Sequence, residues 1–395
     1  MNIILGVTGS IAAYKAADIV RALQRKGHEV RVACTPAATA FISPLTFEVL
    51  TQHEVMIEAI DTSTSQVKHI EWARWADLLL IAPASATTIA KCASGIADNF
   101  LTLLYLATEA QVVVAPAMNT KMLLHPQTQK NLHDLSSLGV GIIPSASGSL
   151  ACMEEGAGKL PTTTQIIKFC EAVFAQRQDL KGRKILITAG ATREHLDPVR
   201  FVTNHSSGKM GISLAYAAMA RGAQVPLLLG HVQEEAPVGC EVHYVETTDN
   251  LLNEMRKRIA EYDAIIMAAA PADFKPRFYQ AEKIKKTSTS FAVEWEKNPD
   301  ILKTLHSEKL LHNKTVIGFA AESQNLVENA QKKCHEKHLD LIVANNIKGP
   351  DSAFASENNR GIIYTAEGKI EKRPKESKMS LAHAILDYIV NRKSL

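Results

Sequence analysis

Short runs of consecutive apolar residues, each closed by glycine, proline or a polar turn, recur along this chain of 395 residues. Ile3-Ile4-Leu5-Gly6-Val7 is the first. Strand patterns follow at Asp77–Ala82, Gln111–Ala115 and Gly141–Pro144. Between them, helical spacing runs over Pro44–Leu50, Ser85–Lys91 into Phe100–Thr108, and His125–Leu138, with a further helix over Thr162–Gln176. Apolar runs without alternation suit strands buried on both faces, and parallel strands need a crossover, usually a helix. The strand–turn–helix–strand order of Met1–Ala33 returns at Lys184, where Lys184–Thr188, the helix after Gly208-Lys209-Met210-Gly211 and Gln224–Leu229 repeat it. Further strands are predicted at Ala264–Ala269, Thr315–Ala320 and Leu339–Ala344, a hairpin near Ile362–Tyr364 and Lys369–Glu371, and a closing helix over Leu381–Ile389. The expected fold class is α/β: two doubly wound, Rossmann-like domains. Domain boundaries are expected at 1–178 and 183–395, with a polar linker at 179–182.

The charge balance narrows the partners. Lys and Arg number 44 against 41 Asp and Glu, a net +3. That excludes a broadly basic nucleic-acid surface, so any cationic site is local. No apolar run approaches the roughly 18 residues of a membrane helix, and no membrane association is expected. The chain opens directly on a strand pattern, and its cysteines (Cys34, Cys92, Cys152, Cys170, Cys240, Cys334) lack CxxC or metal spacing. They read as reduced thiols of a cytoplasmic protein.

Gly6-x-x-Gly9 is not the GxGxxG fingerprint, and no Walker A loop follows, so an ordinary dinucleotide or P-loop site is disfavoured. Gly9 and Ser10 open a helix, which allows either a phosphate on free N–H groups or a plain capped turn. Other motifs close predicted strands, where open α/β sheets hold ligands: Pro83-Ala84-Ser85-Ala86-Thr87-Thr88, Pro116-Ala117-Met118-Asn119, and the Gly- and Ser-rich stretch around Cys152, which reads as a mobile flap. His69 begins a helix. Alone, each is an ordinary cap, turn former or buried thiol.

Together, across residues 1–175, they resemble the flavin-dependent cysteine decarboxylases, and His69, Asn119 and Cys152 match the phosphopantothenoylcysteine decarboxylase pattern. The resemblance implies FMN held by Gly9, Ser10, Thr35, Ser85, Ala86, Thr87 and Thr88. It implies that His69 assists proton transfer, that Asn119 holds the substrate carboxylate and that Cys152 donates a proton to an enethiolate. Direct decarboxylation of a cysteinyl amide would leave an unstabilised carbanion, and prior oxidation of its CH2–SH supplies an electron sink. Met153 stands where the family has Gly after the flap cysteine.

In the second half, Asn204-His205-Ser206-Ser207-Gly208-Lys209-Met210-Gly211 precedes an apolar helix, a setting for an anion pocket or a long capping loop. Ala268-Ala269-Ala270-Pro271-Ala272-Asp273, Lys283-Ile284-Lys285-Lys286 and Lys297-Asn298-Pro299-Asp300-Ile301 follow. Over residues 183–390 these resemble phosphopantothenate–cysteine ligase. The resemblance implies CTP and Mg2+, with CTP bound by Met267, Ala268, Ala269, Asp273, Lys283, Pro299, Asp300, Ile301, Leu302, Phe319, Lys333 and Lys337. Asn204 would act on an acyl-cytidylate; no residue is assigned to the metal. Pro271 replaces a common valine.

The implied whole is a bifunctional coenzyme A biosynthesis enzyme. It would ligate 4'-phosphopantothenate to cysteine and decarboxylate the product to 4'-phosphopantetheine. The family also implies a homo-oligomer, a dodecamer combining trimeric and dimeric contacts. The alternatives are a flavoprotein decarboxylase of another cysteinyl thiol, or a flavin- and nucleotide-binding regulatory protein without turnover.

Overall fold

The computed structural model describes residues 1–58, 67–149, 155–173, 177–285, 292–322, 324–346 and 358–392. The chain forms two compact units, Met1–Gln176 and Arg177–Leu395.

In the first unit, β1 (Asn2–Val7), β2 (Glu29–Cys34), β3 (Leu78–Ala84), β4 (Gln111–Pro116) and β5 (Gly141–Ile142) form one sheet in the order β2-β1-β3-β4-β5. All its pairings are parallel. Its helices are α1 (Ala16–Arg25), α2 (Pro44–Thr51), α3 (Lys68–Trp75), α4 (Ala86–Ser94), α5 (Phe100–Ala107), α6 (Thr120–Leu124), α7 (Pro126–Ser137) and α8 (Thr163–Val173). Strand alternation divides the apolar runs between two cores. Ile3, Leu5, Val7, Leu78 and Leu80 join one; Ile4, Leu79 and Ile81 join the other. On α1, Ala16, Ile19, Val20 and Leu23 make the buried stripe of an amphipathic helix. Truncating one such residue, Leu80→Ala, costs about 2–5 kcal/mol.

Two expectations are revised here. The strand expected to Pro144 ends at Ile142: Ile143 N gives the last hydrogen bond to the neighbouring strand, at Val114 O, and Pro144 has no N–H to continue the pairing. The Gly- and Ser-rich stretch read as a mobile flap is, in its described part, an antiparallel hairpin of β6 (Ala146–Ser149) and β7 (Glu155–Lys159). Residues 150–154, which include Cys152 and Met153, lie outside the described residues.

The second unit carries an eight-stranded sheet in the order β12-β11-β8-β13-β16-β17-β18-β19. In chain order these are β8 (Ile185–Ala189), β11 (Pro226–Leu229), β12 (Glu241–Tyr244), β13 (Ala264–Met267), β16 (Thr315–Glu322), β17 (Leu341–Asn346), β18 (Asn358–Thr365) and β19 (Ile370–Ser377). The first six run parallel in the 3-2-1-4-5-6 order of dinucleotide folds. The last two add antiparallel. The helices are α9 (Lys209–Ala220), α10 (Thr248–Arg258), α11 (Ile301–Ser307), α12 (Leu326–Glu336) and α13 (Lys378–Asn391). The stretch 192–207, expected as a loop, contains the hairpin β9 (Arg193–His195) and β10 (Phe201–Thr203), whose strands are too short for a periodicity signal. A second hairpin pairs β14 (Phe274–Pro276) with β15 (Trp295–Lys297). Residues 179–182 are anchored in this unit. Arg221, 1% exposed, donates to both Asp179 carboxylate oxygens at 2.8 Å and pairs with Asp387 at 2.9 Å.

Among the described residues no helix is long and apolar enough to cross a membrane.

Candidate functional site

In each unit the connections leave the first strand in opposite directions, which opens a crevice at the carboxyl edge of the sheet. In the first unit this point lies between β1 and β3. Thr8, fully buried, donates its Oγ1–H to Pro83 O at 2.7 Å and accepts from Ser85 N at 2.8 Å, tying the two strand ends together. Ser85 caps α4, its Oγ accepting from Thr88 N, so Ala86, Thr87 and Thr88 form the helix's first turn. Ser10 donates to Ala117 O at 3.2 Å. Gly9 packs so closely on Ala37 that an added Cβ would lie 2.6 Å from the Ala37 Cβ, which only glycine allows. Thr35, at the end of β2, has a buried Oγ1 without a hydrogen-bond partner.

Asn119 caps the short α6 by accepting from Lys121 N at 2.9 Å. The hairpin strand β7 fastens this turn: Met118 N donates to Gly158 O, and Thr120 Oγ1 donates to Ala157 O at 2.6 Å. Gly9, Ser10, Thr35, Ser85–Thr88 and Asn119 thus share one edge of the sheet, at the ends of its first four strands. Half-buried His69 is the second residue of α3, and no hydrogen bond or ion pair connects it to Ser10, Ser85 or Asn119. Cys152 lies outside the described residues. Burial pushes the thiols of Cys34, Cys92 and Cys240 up to about 12 and that of Cys334 to about 11. Cys170 is pushed upward too, by burial first and then by Glu171.

In the second unit the crevice lies between β8 and β13, where Ala270 N continues the pairing to Gly190 O at 2.8 Å. Two cavities open there. The first, about 240 Å³, is lined by Met267, Ala269, Asp273, Pro299, Asp300, Ile301, Leu302, Phe319, Lys333 and Lys337, with Leu339 and Ile342. The second, about 300 Å³, is lined by Asn204–Gly211, Ala268–Ala270, Asp273, Phe319, Lys333, Asn345, Asn359 and Lys378. Ala269, Asp273, Phe319 and Lys333 belong to both, so the cavities are adjacent and have a common wall. Lys283 lines neither and is exposed; its tetrad partner Lys286 lies outside the described residues.

The cations here have nearby carboxylates: Lys333 with Glu322 at 2.6 Å, Lys337 with Asp300 at 3.1 Å, and Lys209 with Glu234 at 3.6 Å. Asp300 also caps α11. Asn204 donates from Nδ2 to Pro271 O at 2.9 Å, which joins the loop before α9 to the loop after β13.

Sequence reasoning missed the buried polar frame behind these loops. Glu194, 3% exposed, accepts from Thr248 N and Thr248 Oγ1. Thr192 Oγ1 accepts from Ala272 N, while Asn298 donates to Ala272 O and to Thr248 Oγ1. The frame fixes the Asp273 loop against the Pro299 loop, and its residues come from four separate segments, so spacing carries no sign of it. Asp197 locks the β9–β10 turn: burial opposes its ionisation, but N–H groups of Val199, Ile284 and Arg200 and the Arg200 guanidinium outweigh that and hold its carboxyl below the usual range. Lys378, 6% exposed, was also missed.

The family model described as Flavoprotein matches residues 1–175, and that described as DNA/pantothenate metabolism flavoprotein C-terminal domain matches 180–392. A Coenzyme A biosynthesis bifunctional protein CoaBC of Vibrio vulnificus (strain YJ016) is 40% identical over 391 residues, 98% of this chain and 97% of that protein. The protein of the same name from Bacillus subtilis (strain 168) is 40% identical over 392 residues, 98% of this chain and 96% of its own length. A crystal structure of the C-terminal domain of a CoaBC protein covers 54% of this chain and 96% of its own, at 36% identity and a TM-score of 0.47.

Proposed function

This chain belongs to the family of coenzyme A biosynthesis bifunctional proteins, a flavoprotein decarboxylase joined to a ligase, and from that premise we propose how its two crevices divide the work. The second unit ligates 4'-phosphopantothenate to cysteine with CTP and Mg2+. The first decarboxylates the resulting phosphopantothenoylcysteine to 4'-phosphopantetheine.

The observation that supports the ligase assignment is that two adjacent cavities share the wall of Ala269, Asp273, Phe319 and Lys333. One has an apolar wall of Met267, Leu302, Leu339 and Ile342, suited to a base; the other has the start of α9 and lysines, suited to phosphates. A carboxylate is a poor electrophile, and transfer to the α-phosphate of CTP makes a mixed anhydride with a good leaving group. Positioning and charge neutralisation carry such transfers. Asn204, held at Pro271 O beside the shared wall, is assigned to the acyl-cytidylate. Lys283, exposed and outside both cavities, is kept in the same proposal as a further CTP contact.

In the first unit, FMN is proposed to sit on Gly9, Ser10, Thr35 and Ser85–Thr88. The partnerless Thr35 hydroxyl and the starts of the helices after Ser10 and Ser85 fit its phosphate and ribityl oxygens, and FMN supplies the two-electron acceptor that oxidation of the cysteinyl CH2–SH requires. Asn119 holds the substrate carboxylate, His69 assists proton transfer, and Cys152 returns a proton to the enethiolate. A thiol with the ordinary value of about 8.5 can donate near neutral pH. The described cysteines, driven well above it by burial, are unsuited. A cytoplasmic homo-oligomer completes the reading.

The test is direct. The purified protein should be yellow, or become so with FMN, and should release pyrophosphate from CTP only when 4'-phosphopantothenate and Mg2+ are present. A protein that cannot be reconstituted with FMN refutes the first-unit assignment. Equal turnover with any nucleoside triphosphate refutes the CTP assignment.

A further inference from the structure

His69 stands on α3, a helix of eight residues whose N-cap, Val67, offers no side-chain hydrogen bond. A helix so short holds no orientation of its own; what it packs against decides where the imidazole lies. Asn2 ties its last residue to the sheet, with Nδ2 donating to Trp75 O at 3.0 Å. Near its start Lys68 reaches Glu54 at 3.0 Å, but Glu54 is exposed, and such a pair constrains little. Trp72, 6% exposed, meets Phe100 edge-on with ring centroids 5.3 Å apart.

The remaining fixture is a charged one. On β2, Arg31 shares a face with Ala33, and Ala33 packs in the same core as Trp72. The Arg31 guanidinium carbon lies 4.2 Å from the centre of the Trp75 ring and 5.3 Å from that of Trp72, and Nη1 lies 3.6 Å from Glu71 Oε1. All three partners belong to α3. The side chain is 18% exposed, and its buried Nε has no hydrogen-bond partner. An unmet donor on a charged group costs stability, and an apolar side chain would fill the space without that cost. Stability alone therefore does not account for an arginine here. A flat cation does supply direction: stacking on the indoles fixes its plane, and the carboxylate fixes the turn of the helix beside it.

The link to His69 is geometric. His69 precedes Trp72 by three residues, so the two are neighbours on one face of α3. A helix with its side chains is about 10–12 Å across, so a rotation of about 10° moves a group on its surface by about 1 Å. A misplacement of that size can cost about 100-fold in rate.

We propose that Arg31 is a positioning residue for decarboxylation: by clamping Glu71, Trp72 and Trp75 it sets the rotation of α3 and with it the place of the His69 imidazole. This rests on the reading of His69 as the proton-transfer group of the first unit. Arg31 acts through His69 and binds neither substrate nor flavin.

The experiment uses the full chain loaded with FMN and supplied with phosphopantothenoylcysteine. Arg31→Met is expected to lower kcat for carbon dioxide release about 10- to 100-fold, with KM and flavin affinity unchanged. In a His69→Asn background the same substitution is expected to cause no further loss, because residues acting through one group are not additive. An equal loss in both backgrounds, an unaffected kcat, or a parallel loss of substrate and flavin binding overturns the role of Arg31. Should Arg31→Met melt early, Trp75→Leu, which keeps the charge and removes one stacking face, is carried through the same cycle and decides by the same criteria. A His69→Asn protein with wild-type turnover refutes the reading of His69 itself; an impaired His69→Asn beside a normal Arg31→Met refutes only the clamp.

Discussion

The two units place their crevices by the same topological rule and line them with opposite chemistry. In the first, Gly9, Ser10, Thr35 and Ser85–Thr88 bring hydroxyls and backbone N–H groups, with no charged side chain among them. In the second, Lys209, Lys333, Lys337 and Lys378 line two adjacent cavities. Sheet order decides where a ligand sits; the residues on the loops decide what it is. The architecture behind the loops differs as well. The first unit ties its strand ends with one buried hydroxyl, Thr8, whereas the second inserts two hairpins and braces them with Glu194, Thr192, Thr248 and Asn298.

The sharpest way to separate the units is to stop one chemistry and watch the other. Cys152→Ser should lower 4'-phosphopantetheine formation by about 10³-fold, within the range of general acid catalysis, while carbon dioxide release and ligation continue. Product analysis by mass spectrometry should then find an enethiol. Normal product would remove Cys152 from the proton-donor role.

Stability should divide the same way. Arg221→Met leaves the partly exposed Asp179 and Asp387 without their shared guanidinium and should cost the second unit about 1–3 kcal/mol, leaving the melting of the first unit in place in calorimetry. A common shift of both transitions would show that the units do not unfold separately. The pH dependence has a definite sign. The guanidinium hydrogen bonds hold the Asp179 carboxyl below its usual range. Its contribution is therefore complete above the ordinary carboxylate value of about 3.9 and is lost as pH falls through the lower folded value. Acid unfolding of the second unit should shift in Asp179→Asn.

A smaller effect is expected at Lys333. Lys333→Met removes a cation from the wall common to both cavities and should raise the KM for CTP about 10-fold, the scale of one charge-assisted hydrogen bond. Decarboxylation of supplied phosphopantothenoylcysteine should not change. The smallest is Thr35→Ala, which should weaken FMN binding about 2- to 10-fold, as read by flavin fluorescence, with no effect on ligation.

Strand runs such as Leu78–Ala82 were legible in the sequence because burial on both faces makes them apolar without interruption. Both sheets and their first crossovers follow from that pattern. β12, β9, β10, β14 and β15 were not legible: at three or four residues each and partly exposed, they are too short to show a period. The motifs at strand ends marked the crevices because caps and turns need particular residues at fixed offsets. Lys283 shows the limit, since a basic tetrad in the sequence gives charge but no direction, and the residue lies outside both cavities.

The central claim is that one chain carries two successive reactions on separate units. The direct measurement supplies wild-type protein, reconstituted with FMN, with 4'-phosphopantothenate, cysteine, CTP and Mg2+, and follows pyrophosphate and carbon dioxide in the same sample. The account predicts that pyrophosphate forms first, carbon dioxide then appears in equal amount, and 4'-phosphopantetheine accumulates. Pyrophosphate without carbon dioxide, or no pyrophosphate from a folded and flavin-loaded protein, would contradict it.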